Sequence, residues 1–200
     1  MTAAMKRSVA LLCALMFSLT LFSGCSSPEE TPYLGITCIA KYIGLDSQDA
    51  VSADIGARLP AYDGEIQYSY MYTGDSTSDA MMTASTMMKL TAMFASQEVD
   101  ILFADEENAA RNARSDSFLP LSELLTEEEI EALGSRALSF DMLDDQGNPT
   151  GEKTPVCGVD LSGCAVLTPV FGTQSIGVYV VSNTDDLEYV KTALREILSW

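Results

Sequence analysis

Polar and aromatic side chains follow four strand-like segments of this sequence, and their types suit the binding of a small polar solute. Carboxylates and hydroxyls hydrogen-bond to groups such as sugar hydroxyls, and an aromatic ring stacks on a sugar face. Asp and Ser are also favoured at turns and helix caps, so these residues have a purely structural alternative. The candidate ligand-binding residues, within segments 41–42, 72–75, 105–108 and 160–163, are Lys41, Tyr42, Tyr72, Thr73, Asp75, Asp105, Asn108, Asp160 and Ser162.

Three other groups of residues also have both a functional and a structural interpretation. Tyr68, Tyr70 and Tyr72 alternate on one side of a strand, either as a platform for a carbohydrate or as a row packed under a helix. The run 144–148 is rich in oxygen ligands but lacks the Gly and the distal Glu of a calcium loop, which favours a surface turn. Thioethers can bind copper(I), but helical spacing favours a core helix for Met81, Met82, Met87, Met88 and Met93.

The chain contains no His, and this absence excludes several kinds of chemistry. Ser-His-Asp and Cys-His catalysis need an imidazole, and His is a common ligand of zinc and copper. An enzyme would have to use carboxylate pairs alone, as glycosidases do, and no pair can be placed at the required separation. We therefore predict no enzyme activity, no catalytic residue, no metal site and no cofactor.

The amino-terminal residues have the order of charged, apolar and small side chains that is typical of an export signal. Lys6 and Arg7 precede an uncharged apolar run over 8–22, which is too short for a membrane span and ends at Ser23-Gly24-Cys25. The Gly-Cys pair resembles the lipobox of bacterial lipoproteins, in which the Cys is acylated. This resemblance implies a signal peptide over 1–24, a lipid on Cys25 and a polar, Pro-containing tether over 25–32. An apolar core helix is the alternative.

Three cysteines remain after Cys13 in the signal and the acylated Cys25. Cys157 and Cys164 have a spacing that a hairpin can bridge, and an exported chain meets oxidising conditions. The sequence thus allows a disulfide between these two residues. The alternative is that they and Cys38 are buried thiols that pack as small apolar side chains.

The charge of the chain limits its partners. It has 11 Lys and Arg against 29 Asp and Glu, a net charge of −18, and loss of Lys6 and Arg7 with the signal would leave −20. Such a surface repels phosphate backbones, so we expect no nucleic-acid partner. Attachment to a membrane would depend on the lipid rather than on a basic patch.

Strand-like and helix-like segments alternate after the tether. Strands are predicted over 33–41, 65–72, 99–104, 155–159 and 176–182, and helices over 49–59, 75–98, 106–114, 126–134 and 185–200. This alternation predicts one α/β domain over 33–200, with a mainly parallel sheet flanked by helices.

The stretch 89–125, KLTAMFASQEVDILFADEENAARNARSDSFLPLSELL, resembles the extracellular solute-binding proteins of ABC transporters, particularly the sugar-binding type. The resemblance is carried by Val99-Asp100-Ile101, by Asp105, by the segment 118–124 (FLPLSEL) and by the closing segment 177–183 (GVYVVSN). It implies a lobe of a periplasmic-binding-protein-like fold. Members of this family usually have two lobes in chains about twice as long, and this chain has room for one.

The resemblance leads to two hypotheses about function. The first is a lipid-anchored protein on the outer face of the cell membrane, which binds a sugar or another small polar solute for an ABC transporter and contacts its permease. The second is a structural or adaptor lipoprotein that keeps the lobe without trapping a solute. An exposed apolar patch would favour the adaptor or a dimer.

Overall fold

Eight strands occur in residues 33–200, the part of the chain that the computed structural model describes. They are β1 (Tyr33–Ala40), β2 (Glu65–Tyr72), β3 (Ile101–Asp105), β4 (Ala137–Leu138), β5 (Asp141–Leu143), β6 (Pro149–Lys153), β7 (Gly158–Asp160) and β8 (Ile176–Val180). Six form one sheet in the order β2-β1-β3-β8-β7-β4, and β5 pairs with β6 as a separate hairpin. The predicted signal peptide (1–24), Cys25 and the predicted tether (25–32) lie outside the described residues.

Helices cover both faces of the sheet, which confirms the predicted α/β class. They are α1 (Gln48–Arg58), α2 (Ala80–Ala95), α3 (Glu106–Ala113), α4 (Glu127–Leu133), α5 (Thr168–Phe171) and α6 (Leu187–Ile197), with short 3-10 turns at Leu45–Ser47, Leu121–Glu123 and Gly134–Arg136. Apolar residues of α1, α5 and α6 pack on one face of the sheet, and those of α2 and α3 pack on the other. Because β3 and β8 are buried on both faces, they are continuous apolar runs rather than alternating ones.

The sheet is mixed, whereas the sequence predicted a mainly parallel one. Strands β2, β1 and β3 are parallel, but β8 runs antiparallel to β3 and to β7. The connection from β7 to β8 contains only the four-residue helix α5. It does not carry the chain back to the other end of the sheet, as a parallel crossover must, so β8 starts at the edge where β7 ends.

Helix α2 does not bury the stripe that its spacing predicted. Its buried residues are Thr83, Leu90 and Met93, while Met81 and Met88 are 87% and 75% exposed. The interpretation of the methionine cluster as a plain core helix is therefore wrong for these two residues and for Met82, which is 48% exposed. Apolar residues surround this helix almost completely, so periodicity could not identify the side that packs on the sheet.

Cys157 and Cys164 do not form the disulfide that their spacing allowed. Both are free thiols, as is Cys38. Cys157 belongs to the apolar cluster on the α2 side of the sheet, whereas Cys164 packs against the cluster on the opposite side. Strand β7 lies between the two residues, so they do not face each other across a hairpin. Burial raises the pKa of the Cys157 thiol to about 11, which keeps it protonated.

A buried aspartate ties the amino end of β3 to its neighbours. The Asp100 carboxylate accepts hydrogen bonds from the Gly35 backbone N–H at 2.8 Å and from the Thr184 hydroxyl at 2.5 Å. Burial raises the pKa of Asp100, and these two donors oppose that shift by stabilising the charged form. Gly35 has no room for a side chain here, because a Cβ would lie 2.1 Å from the Glu98 carbonyl oxygen.

An exposed ion pair joins α4 to α6. Glu129 and Thr126 form a capping box at the start of α4, and the Glu129 carboxylate also binds the Arg195 guanidinium, with oxygen-nitrogen distances of 2.6 and 3.0 Å. The hydrogen bond from Arg195, followed by that from the Thr126 N–H, lowers the pKa of Glu129 from 4.5 to about 2. The charged form of Glu129 therefore favours the folded state.

We predict that Glu129→Gln weakens the dependence of stability on acid. A carboxyl whose pKa is depressed by folding contributes stability above its unfolded value of 4.5 and loses it as the pH falls toward 2. The free energy of unfolding, measured by urea titration from neutral pH down to acid, should fall less steeply in the variant. Glu128→Gln removes a charge from the same turn and serves as the control. Identical pH profiles for wild type and Glu129→Gln would contradict the prediction.

Candidate functional site

The Asp105 carboxylate joins the carboxyl ends of two strands to the start of α3. Asp105 is the last residue of β3 and the N-cap of α3, and one of its oxygens accepts hydrogen bonds from the backbone N–H and the side-chain amide of Asn108, each at 2.9 Å. Its other oxygen accepts the Lys41 backbone N–H at 2.7 Å. Because Lys41 directly follows β1, this one buried carboxylate fixes the predicted segments 41–42 and 105–108 relative to each other.

Asn108 extends this network to the end of β2. Its side-chain amide also donates to the Thr73 hydroxyl at 3.3 Å, and the Thr73 backbone N–H donates to the Ala40 carbonyl at 3.0 Å. The predicted residues Lys41, Thr73, Asp105 and Asn108 thus meet at one edge of the sheet. Thr73, Asp105 and Asn108 are buried, so they position the site rather than offer their side chains to a solute.

An ion pair lies above this buried layer. The Lys41 ammonium is 2.9 Å from one Glu107 oxygen, and the Arg111 guanidinium is 3.4 Å from the other. Hydrogen bonds from Ser76 and then from Lys41 lower the pKa of Glu107, and the hydrogen bond to Glu107 raises the pKa of Lys41. Both groups are therefore charged at neutral pH and remain accessible at the surface.

Asp75 and Asp160 close turns, as the structural alternative predicted for them. One Asp75 oxygen accepts hydrogen bonds from the hydroxyl and the backbone N–H of Thr77, and these bonds lower the pKa of Asp75. One Asp160 oxygen accepts the corresponding two hydrogen bonds from Ser162. The Ser162 hydroxyl in turn lies 3.1 Å from the Ser175 hydroxyl, at the start of β8.

The tyrosines were predicted either to form a platform for a carbohydrate or to pack as a row under a helix, and the structure divides them. Tyr68 and Tyr70 pack in the core under α1, and the Tyr70 hydroxyl lies 2.8 Å from the Ser52 hydroxyl, which confirms a packed row. Tyr72 extends beyond this row and is 40% exposed. Its ring centroid is 6.4 Å from that of Tyr42, which is 60% exposed. These two predicted residues present an exposed aromatic pair beside the network.

An open cavity of about 460 Å³ lies at this edge of the sheet. Its volume falls within the range of ~300–1,000 Å³ that is usual for sites of small ligands. Glu106 and Ser175 also line a second cavity, of about 180 Å³, which reaches toward Asp160 and Tyr179. The residues that line the first cavity are Lys41, Asp105, Glu106, Glu107, Ala110, Arg114, Gln174 and Ser175.

Four polar residues that line these cavities were not among the predicted site residues: Arg114, Gln174, Ser175 and Tyr179. Gln174 and Ser175 precede β8, so the rule that ligands lie at the carboxyl ends of parallel strands could not find them. The Gln174 side-chain amide donates to the Tyr42 carbonyl at 2.8 Å and so belongs to the site. Recognising that β8 runs antiparallel to β3 would have placed Gln174 and Ser175 at this edge of the sheet.

The chain matches no known protein family, no curated protein and no solved structure in comparisons of sequence and fold. Within residues 33–200, no helix combines the length and the apolar character that a membrane crossing requires. The same residues contain no group of three or more Cys, Asp and Glu side chains arranged to hold a metal ion.

We predict that Asp105→Ala destabilises the fold by about 2 to 4 kcal/mol, since it removes a helix cap and leaves buried donors of Lys41 and Asn108 without an acceptor. Urea unfolding followed by circular dichroism measures this loss. Asp145→Ala, in the exposed β5–β6 turn, removes the same charge and should change stability by less than about 0.5 kcal/mol. Equal stabilities of the two variants would show that the Asp105 network does not hold the site together.

Proposed function

We propose that this chain is a lipid-anchored protein of the outer face of the cell membrane that resembles one lobe of the extracellular solute-binding proteins. It binds a sugar or another small polar solute for an ABC transporter and contacts the permease. We propose no enzyme activity, because the site offers groups that bind a solute but no nucleophile that is paired with a general base.

One observation carries the proposal: polar residues from separate chain segments converge on one cavity at the edge of the sheet. Lys41 and Glu107 supply charges of both signs, Ser175 supplies a hydroxyl, and Gln174 supplies an amide at the mouth of this cavity. Such a mixture of donors and acceptors suits a polar solute with several hydroxyl groups. The buried Asp105 network beneath it supports the same conclusion, because binding is stronger when the groups are already positioned.

The segments that carry the resemblance to the solute-binding family form connected elements of one domain. Residues 99–105 supply β3 with its buried flanks and Asp105, and residues 118–124 contain the 3-10 turn Leu121–Glu123. The closing segment 177–183 contains most of β8, which pairs with β3 and precedes α6. These elements support kinship with a single lobe that binds solute on an open face.

A specific observation favours the adaptor as a second function. Apolar side chains are exposed beside the site and along α2. They are Tyr42, Leu45, Tyr72, Met81, Met82 and Met88. Exposed apolar side chains that cluster into one patch are typical of contacts with other proteins, and Tyr42 and Tyr72 form such a pair.

We predict that a polar solute stabilises the chain through the Lys41 cavity. In a thermal-shift screen of the full chain in detergent against sugars and amino acids, a specific solute at about a hundredfold excess over its dissociation constant adds about 2.7 kcal/mol. Lys41→Gln should weaken this binding roughly tenfold, whereas Lys89→Gln, on the outer face of α2, should not. No shift with any solute would exclude the solute-binding function and favour the adaptor.

We predict that the membrane anchor is a lipid on Cys25. Metabolic labelling with a fatty-acid probe should label the wild-type chain and the control variant Cys164→Ala, which keeps Cys25. The variant Cys25→Ala should take up no label and should separate from membranes on fractionation. Labelling of Cys25→Ala would contradict the lipid anchor.

A further inference from the structure

The register of strands β3, β8 and β7 explains which residues surround the smaller cavity, of about 180 Å³. Gly177 of β8 pairs with Ala104 of β3 on one side and with Asp160 of β7 on the other. Paired residues of antiparallel strands place their side chains on the same face of the sheet. Asp160 therefore lies on the α2 side of the sheet, beside a glycine that has no side chain to cover the strand.

The ring of Tyr179 fills the space that two glycines leave open. A Cβ at Gly158 would lie 2.2 Å from a Tyr179 ring carbon, and a Cβ at Gly177 would lie 2.4 Å from the Tyr179 hydroxyl oxygen. The ring thus lies across β7 and β8, with its hydroxyl directed toward the carboxyl end of β7. That hydroxyl reaches the cavity that Glu106, Asp160 and Ser175 also line.

Tyr179 is buried, yet its hydroxyl has no hydrogen-bond partner among residues 33–200. The residue is 1% exposed. The hydroxyl opens into the cavity, so it is available to a hydrogen-bonding group of a ligand. Burial raises the pKa of Tyr179, and the phenol therefore stays neutral and can accept as well as donate a hydrogen bond.

Negative charge surrounds this hydroxyl without a compensating side chain. Glu106 is exposed on one side of the cavity, and on the other side Asp160 uses one carboxylate oxygen for Ser162 and leaves the second free. Arg136 is the cation near Asp160, but its guanidinium donates to the Asp160 backbone carbonyl at 3.2 Å. None of the residues that line this cavity is basic; Lys41 and Arg114 line the larger one.

We propose that this cavity binds a protonated primary amine of the solute, an inference that rests on the solute-binding function proposed above. An ammonium group has three N–H donors, and the cavity offers three matching acceptors in Glu106, Asp160 and the Tyr179 hydroxyl. The remaining lining is mainly apolar, from Leu138, Ile176 and the Tyr179 ring, and suits the carbons next to the amine. The solute is thus an amino sugar or another polar amine rather than a neutral sugar.

Two matched pairs of probes test this substrate class on the full chain in detergent. Glucosamine is compared with glucose, and 1-aminopentane with 1-pentanol, by isothermal titration at about pH 6, where amines of this kind are protonated. Each amine should bind at least about tenfold more tightly than its neutral partner, as a charge-assisted hydrogen bond contributes. Added salt should weaken the binding of the amines and leave that of the neutral probes unchanged.

Three variants link the preference to the cavity. Glu106→Gln and Asp160→Asn each remove one charge, and Tyr179→Phe removes the hydroxyl while the ring still packs on the glycines. Each should lower the ratio of the affinity for the amine to the affinity for its neutral partner roughly tenfold. Glu65→Gln, at the opposite end of β2, removes the same charge far along the sheet and is the control.

The outcomes separate this inference from the proposed function. Equal binding of amine and neutral probes, or a preference that survives Glu106→Gln and Tyr179→Phe, overturns the amine site and leaves solute binding intact. Equal competition by calcium chloride overturns it as well, since it would show a general cation site. If no probe and no solute of the wider screen binds, the amine site and the solute-binding function fail together.

Discussion

The buried carboxylate of Asp105 is the interaction on which the arrangement of the site depends. It is the only side chain within 33–200 that hydrogen-bonds both the residue after β1 and the first turn of α3, and through Asn108 it reaches Thr73 after β2. Beyond the strand ends, the Thr73 N–H also donates to the Ala40 carbonyl, and Lys41 pairs with Glu107, so the Asp105 network is reinforced from both sides. At the other end of β3, the Asp100 carboxylate joins neighbouring segments in the same way, by hydrogen bonds from Gly35 and Thr184. The central strand is therefore held by a carboxylate at each end.

Because β8 runs antiparallel to β3, the site combines residues that follow some strands with residues that precede another. Parallel strands alone would bring their carboxyl ends, with their turn-forming Asp and Thr residues, to one edge. Because β8 begins at that edge, Gln174 and Ser175 join Lys41 after β1, Asp105 of β3 and Asp160 of β7 around the two cavities. The same reversal sets Gly177 between β3 and β7 and so opens the space that the Tyr179 ring occupies. The two cavities are thus consequences of one short connection between β7 and β8.

Local sequence patterns predicted most elements but not how they face each other. The β-prone runs at 33–41 and 65–72 and the capping Thr126 identified β1, β2 and α4, since each signal lies within a few residues. The convergence of Lys41, Thr73, Asp105 and Asn108 followed from the rule for strand ends. Other features depend on contacts between distant segments. They are the buried side of α2, the separation of Cys157 from Cys164 and the position of the Tyr179 ring beside the cavity. In α2 the apolar side chains surround the helix, so no pattern within it marks the packed face.

The outward face of α2 also determines how this protein responds to oxidants. Met81, Met82 and Met88 expose their thioether groups, whereas Met71 and Met93 are enclosed in the core. Peroxide therefore reaches the three outer sulfur atoms first and converts them into polar sulfoxides. Since these side chains contribute little to the interior, the fold persists while the surface changes from apolar to hydrophilic. Any partner that adheres to this helix would then be released without unfolding, and reductases of methionine sulfoxide would restore its contact.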